Sequence, residues 1–322
     1  MQPILTLEPL SRAPVLEDIR ETGLAIAPMI HRTPVLTCAH LDQRSGARLF
    51  FKCENFQKVG AFKMRGVASA ALRLGEDQLR QGLCTHSSGN HAQAVARAAR
   101  ELGVPAYIVM PENAPAIKRQ ATAGYGAEII ACGPRPAHRE ARLAEVQAET
   151  GAFFIHPYND WGVIAGQGTA ALELWEEAGP FERLLAPVGG GGLLSGTAIV
   201  GQSLGARVYG GEPMAVDDAY RSLHSGRLQQ NETIDTVADG LRTHLGDKTL
   251  AVIRERVADI LRVDEGEIVA AMRLVWERMK ILIEPSCAVP VAAVLRYPDL
   301  FRDQKVGIIL TGGNVDLDHL PF

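Results

Sequence analysis

The chain has no cysteine pair at disulfide or metal-ligand spacing: Cys38, Cys53, Cys84, Cys132 and Cys287 are dispersed, with no CxxC among them. That excludes a disulfide framework and a structural zinc site, and fits reduced thiols in a cytoplasmic protein. No apolar run approaches the roughly 18 residues of a membrane helix. The N-terminal MQPILTLEPLSRAPVLEDIRE lacks a basic flank leading into an apolar core, so neither a membrane partner nor a signal peptide is expected. An excess of positive charge is missing too: 33 Lys and Arg stand against 37 Asp and Glu, for a net charge of −4. The arginines are scattered rather than striped, which argues against a nucleic-acid partner. No repeat or low-complexity linker divides the 322 residues, so two domains, if present, are interleaved rather than strung in series. The familiar nucleotide signatures are incomplete, with neither a P-loop GK[ST] nor a G-x-G-x-x-G followed by a distal acid.

What remains is a chain in which short β-rich runs alternate with helical patterns, as in a parallel α/β protein. The runs ARLFFKCE, GLCTHSS, AYIVMP, AEIIAC, FFIHP, RLLAPV, RVYGGEP, DILRVD and VGIILTGG read as strands, most of them unbroken and apolar. GNHAQAVARAARELG and AHREARLAEVQAETG read as helices; a later one is announced by Asp264 and Glu267 at capping-box spacing. In such sheets chemistry gathers beyond the C-terminal ends of strands. The unusual loops fall there: SSGNH after one strand, GGGG after another, TGGN after the last.

Each loop has a chemical reading and an ordinary one. Four glycines, Gly189 to Gly192, run from a strand end into a small-residue helix near Leu193, where successive N–H groups can converge on a phosphate. A flexible glycine turn would look the same. Ser87, Ser88, Asn90 and His91 suit a carboxylate at a helix start, or serve as a helix cap. Thr311 can present a neutral hydroxyl to a flat ring, or end a plain turn. Lys63, in NFQKVGAFKMRGVA, sits between Phe62 and Met64 with no acidic residue from Gln57 to Leu74. It either reaches solvent from a helix start or carries a cofactor. A lysine for an imine, an anion cradle, a carboxylate loop and a neutral hydroxyl are together the parts that hold pyridoxal phosphate and an amino acid.

Six separated segments carry a resemblance: AFKMRG, SSGNHAQAVA, PVGGGGLLSG, GEPMAVDDAYRS, ADGLRTHLG and the stretch from LVWERMKILIEPSCAVPVAAVL to LTGGNVD. They resemble the fold-type II pyridoxal-phosphate enzymes, in the threonine/serine dehydratase and serine racemase branch. Cysteine-synthase relatives would show SVKDR-like and SGNTG motifs instead. The resemblance implies a tryptophan synthase β-like fold of two interleaved, open parallel-sheet α/β domains. Residues 1–80 with 158–322 would form the large cofactor-binding domain and residues 81–157 a small mobile one.

By the same resemblance Lys63 carries the cofactor and then acts as base at Cα, and Phe62 packs near the ring. Asn90 meets the ring's 3-hydroxyl, and Gly189, Gly190, Gly191, Gly192 and Leu193 bind its phosphate through backbone amides. Gly240 belongs to the cofactor site as well, and Thr311 faces the pyridine nitrogen where the family commonly has serine. Ser88 matches the serine that returns a proton on the opposite face in racemase-like members. Ser87, His91, Arg139, Thr243 and His244 fall at substrate-facing positions, although an arginine such as Arg139 on a helix is commonly just solvated. An inward Arg139 would favour a second carboxylate, and so 3-hydroxyaspartate. Glu212, Asp218 and the carbonyl of Val216 match a Mg²⁺ or Ca²⁺ site, or else form a solvated acidic turn.

The expected function is dehydration of a 3-hydroxy amino acid (serine, threonine or a relative) to a 2-oxo acid and ammonia. The alternatives are an amino-acid racemase with side dehydratase activity and a non-catalytic ligand-binding protein of the same fold. The chain's end at Phe322 leaves no room for a C-terminal regulatory domain, and the family's usual homodimer is expected. One departure stands out: Ala61 replaces the serine that usually precedes Phe-Lys, which removes a possible helix cap.

Overall fold

The computed structural model describes residues 6–114 and 116–322. Among the described residues ten strands form two sheets: β1 (Val35–Thr37), β2 (Arg48–Cys53), β3 (Leu83–His86), β4 (Ala106–Pro111), β5 (Glu128–Cys132), β6 (Phe153–Phe154), β7 (Arg183–Pro187), β8 (Arg207–Pro213), β9 (Val257–Val263) and β10 (Lys305–Leu310). The larger sheet has the order β1-β2-β10-β7-β8-β9 and the smaller β5-β4-β3-β6. Every pairing is parallel except β1 with β2. The strands of the smaller sheet all lie between Leu83 and Phe154, so the larger sheet is built from chain on both sides of them. Among the described residues no helix is long and apolar enough to cross a membrane.

Each of the nine expected strands is present. The tenth, β1, has three residues and one antiparallel neighbour, too short for a periodic signal. FFIHP yields only the two residues of β6. Pro157 has no N–H to give a ladder, and beyond Ile155 the backbone turns instead toward the helix Trp161–Ala178, which Asp160 caps by accepting from Val163 N. The capping box of Asp264 and Glu267 forms as read, at the start of the helix Glu265–Met279.

The helix Lys63–Ala71 has Phe62 at its N-cap and no side-chain cap. It is fixed in two other ways. Ala61 forms an isolated antiparallel bridge with Gly312, and Phe62 N donates to Thr311 O at 3.0 Å, which brings the helix start to the end of β10. Arg65, fully buried, makes two bidentate contacts: with Glu54 at 2.7 and 2.8 Å, and with Glu173 at 2.8 and 2.8 Å. It also donates to Thr169 Oγ1, while buried Lys52 pairs with Glu173 at 2.7 Å. Two cations and two carboxylates thus neutralise one another beneath the site, the arrangement a buried charge requires.

Candidate active site

Lys63 Nζ donates to the carbonyl of Pro157 at 2.8 Å and lies 5.2 Å from the Phe62 ring centroid. Lys63 is half-buried, and desolvation of its ammonium lowers the pKa from 10.5 to about 8, with Glu284 pulling the other way. Burial disfavours the charged form of an amine, so a neutral nucleophile is accessible near physiological pH.

Around it converge the ends of three strands. After β7 the glycine loop enters the helix Gly192–Ser203, with Gly191 at φ 88° in the left-handed region that favours glycine. A Cβ on Gly190 would lie 2.2 Å from the Tyr158 ring, so that position admits no side chain while the ring is there. Thr249 Oγ1 donates to Gly190 O at 2.9 Å and holds the loop from below. After β10 comes Thr311, whose buried hydroxyl has only the Cys287 thiol, a weak hydrogen-bonding group, beside it. A buried hydroxyl so weakly partnered is costly unless something else satisfies it. After β3 comes Asn90 at the start of the helix Asn90–Leu102. Its Nδ2 lies 3.1 Å from both oxygens of Glu284, and its Oδ1 accepts from Asn314 at 2.9 Å. An amine of lowered pKa, a glycine cradle at a helix N-terminus and a weakly partnered buried hydroxyl suit a ligand with a carbonyl, an anionic group and a ring acceptor.

Residues 26–312 match the family model described as pyridoxal-phosphate dependent enzyme. The chain belongs to that family. It is 46% identical to the β-hydroxyaspartate dehydratase of Paracoccus denitrificans over 96% of this chain and 99% of that one. It is 47% identical to the L-threo-3-hydroxyaspartate ammonia-lyase of Saccharomyces cerevisiae over 94% of both. The crystal structure of the serine racemase of Dictyostelium discoideum superposes with a TM-score of 0.90 at 46% identity, over 94% of this chain and 99% of that one. The family's cofactor is pyridoxal phosphate, and the residues present fit it. The buried Thr311 hydroxyl offers a partner to a ring nitrogen, and the glycine loop, with no side chains of its own, leads into a helix N-terminus whose backbone N–H groups suit a phosphate.

The remaining candidates are distributed unevenly. Ser87 and Ser88 are half-buried in the loop after β3, where Ser87 Oγ accepts from Gly89 N at 3.3 Å. Leu193 is buried in the first turn of the glycine-loop helix. Gly240 N donates to Ser286 Oγ at 2.9 Å, and Gly189 lies against Gly240, Leu241 and Thr243. Thr243 itself is exposed. Arg139 reaches Pro134 O at 3.4 Å and leaves its Nε buried without a partner; its charge acts on His86, at the end of β3. His91 is 3% exposed, with Nε2 2.9 Å from Ile155 O. Burial and the nearby Lys63 push its pKa well below the ordinary value, so it supports the site from beneath as a neutral ring. His244 turns its Nε2 to Asn231 N at 3.0 Å, on the side of Asp218.

Glu212 and Asp218 are both buried and adjacent. Glu212 accepts from Ala219 N and Tyr220 N, and Asp218 from Asn231 Nδ2 and Leu245 N. Despite those donors, burial raises both carboxyls, and Asp218 raises Glu212 further. Among the described residues no group of three or more His, Cys, Asp or Glu side chains converges. A cation here would have these two carboxylates and backbone oxygen such as that of Val216.

Sequence reasoning missed Glu284, Asn314, the Pro157 carbonyl and Tyr158. The carbonyl carries no signal in any side chain. Glu284 lies within the segment LVWERMKILIEPSCAVPVAAVL, and a carboxylate directly before Pro at a helix start could have been singled out.

Proposed function

We propose that this protein is a pyridoxal-phosphate-dependent ammonia-lyase that converts a 3-hydroxy amino acid to a 2-oxo acid and ammonia by α,β-elimination. The observation that carries the reading is Lys63, a half-buried amine that donates to Pro157 O at 2.8 Å at the meeting of the three strand-end loops, with its pKa lowered by desolvation. When bound, pyridoxal phosphate supplies the electron sink that makes the substrate's Cα proton acidic. Lys63 would hold the cofactor through its amine and, freed from it, would take the proton at Cα. Asn90, held by Glu284 and Asn314, and Phe62 orient the ring, while Gly189 to Leu193 and Gly240 seat the phosphate end. Thr311 gives the ring nitrogen a neutral partner rather than an ionic one. Loss of the β-hydroxyl together with the proton taken from Cα, as one water, would release an enamine; its imine tautomer takes up water to give the 2-oxo acid and ammonia.

Among 3-hydroxy amino acids, 3-hydroxyaspartate is favoured. The relatives from P. denitrificans and S. cerevisiae are named for it, and the unpartnered guanidinium nitrogen of Arg139 suits its second carboxylate. Ser87 and Thr243 would complete the substrate surroundings, while His91 and His244, bonded to Ile155 O and Asn231 N, would support them from behind. A second reading, serine racemase, rests on Ser88, half-buried in the loop after β3, and on relatives bearing that name. Further parts of the proposal are a smaller domain of residues 81–157 that moves on substrate, Mg²⁺ or Ca²⁺ at Glu212, Asp218 and Val216 O, a cytoplasmic location and a homodimer. Steady-state assays with L-serine, L-threonine, 3-hydroxyaspartate and 3-phenylserine, scoring 2-oxo acid against inverted amino acid, test the reading. Predominant 2-oxo acid, largest from 3-hydroxyaspartate, is expected; predominant D-serine from L-serine would overturn the lyase assignment.

A further inference from the structure

Residues 155–160 carry the chain from the second sheet into the Lys63 site without a regular ladder. Ile155 still belongs to the sheet, with its N–H on Cys84 O and its carbonyl taking Thr85 Oγ1 and His91. Pro157 has no N–H. Tyr158 N and Asn159 N, which have no backbone acceptor among the described residues, both donate to one atom, Nδ1 of His156, at 3.2 and 2.8 Å. Everything this turn presents to the site hangs on that pair of bonds. Its Pro157 carbonyl receives Lys63 Nζ, and the Tyr158 ring lies against Gly190. The Asn159 side chain donates to Asp247 and accepts from Lys248 N, which ties the turn to the helix Asp247–Arg256.

We propose that His156 is a positioning residue of the reaction: through Nδ1 it holds the turn that sets the Pro157 carbonyl on Lys63 and the Tyr158 ring on the glycine loop. The imidazole is itself fixed in an aromatic row, 4.7 Å from the Tyr158 ring at 89° and 5.5 Å from Phe154, which stacks on His86. An Nδ1 that accepts two N–H groups cannot carry a proton, so the ring must be the neutral Nε2–H tautomer. Its surroundings enforce that state. Burial first, then His86, Lys63 and Lys248, lower its pKa to about 4 against the opposing pull of Asp247. The role deepens the lyase reading and rests on it for the identity of the reaction, but not for the geometry.

Two variants separate positioning from bulk stability. In His156→Asn, Oδ1 stands where Nδ1 stood, as an acceptor that cannot be protonated; in His156→Leu there is no acceptor. Hydrogen exchange of peptides covering 155–160 is followed by mass spectrometry in the cofactor-free full-length chain, alongside the Kd for pyridoxal phosphate and kcat and KM of the loaded protein. His156→Leu is expected to speed exchange in that segment at least tenfold, without matching acceleration in the β7 and β10 peptides. It should also weaken cofactor retention tenfold and lower kcat more than it raises KM. His156→Asn should stay within about threefold of wild type in each measure. Unchanged exchange or cofactor retention in His156→Leu, uniform acceleration across all peptides, or a His156→Asn as impaired as His156→Leu would overturn the proposal. If wild type formed no 2-oxo acid the lyase reading would fall, while exchange and cofactor retention would still decide the role of His156.

Discussion

Replacing Lys63 by methionine tests whether burial of this amine carries the cost its surroundings imply. The pKa of about 8 in the folded chain stands against 10.5 for an ordinary lysine. That gap corresponds to about 3 kcal/mol, at roughly 1.4 kcal/mol for each factor of ten. Because the folded value is the lower one, the protonated amine favours unfolding. Below pH 8 both states hold the proton and the full cost is present; between 8 and 10.5 only the unfolded chain keeps it, so stability rises with pH. Methionine fills similar length without charge but leaves Pro157 O without its donor, a loss of about 1 kcal/mol. Cofactor-free Lys63→Met should therefore be about 2 kcal/mol more stable than cofactor-free wild type near neutrality, and about 1 kcal/mol less stable once the amine has titrated. Urea unfolding of both proteins across that pH range reads the difference directly, since the other ionisable groups are common to both. A difference that does not change with pH, or a variant less stable at neutrality, would refute the argument.

Arg65→Met leaves Glu54 and Glu173 buried without their main partner, and should cost about 3–5 kcal/mol in urea unfolding. A loss under about 1 kcal/mol would mean that the carboxylates are satisfied by other groups. Thr311→Val removes a buried hydroxyl whose polar neighbour is the Cys287 thiol. It should change the stability of the cofactor-free chain by no more than about 1 kcal/mol while weakening pyridoxal-phosphate retention, measured by equilibrium dialysis. Glu212 and Asp218 have folded-state pKa values above their ordinary ones. Each thus favours the folded chain while protonated and loses that contribution as pH rises through and beyond the carboxylate range. In EDTA the melting temperature should fall over that interval, and millimolar Ca²⁺ or Mg²⁺ should restore it at pH 8. Identical melting curves with and without the ions would remove the metal from the proposal.

The sheets were legible because their strands are nearly continuous apolar runs, a pattern that survives without knowledge of partners. Lys63 and the glycine loop were legible because a lysine between Phe62 and Met64 with no acidic neighbour in its segment, and four successive glycines, have few uses. Arg65 shows where such reading stops. Within its own segment it has no acidic neighbour, and its partners lie at Glu54, just outside, and Glu173, more than a hundred residues away. Ala61 taught a related lesson, because the missing cap pointed to a weakened helix start. The start is instead held by the bridge to Gly312 and by Arg65, both products of chain folding back on itself. His156 and Pro157 were read as strand because FFIHP begins with β-favouring residues. Only the geometry reveals that an imidazole, not a neighbouring strand, satisfies the amides that follow.

The fit of the Tyr158 ring against Gly190 has a consequence for how this sequence can change. A side chain at Gly190 would overlap the ring at 2.2 Å, so its tolerance is set by a residue on another element rather than by its own backbone. Position 190 is closed while residue 158 is aromatic and opens when residue 158 is small. A library that varies either site alone samples mostly misfits, whereas one that varies both together reaches loops of different width. Such paired exchange is the route by which this scaffold could admit a differently shaped anionic group without altering Lys63.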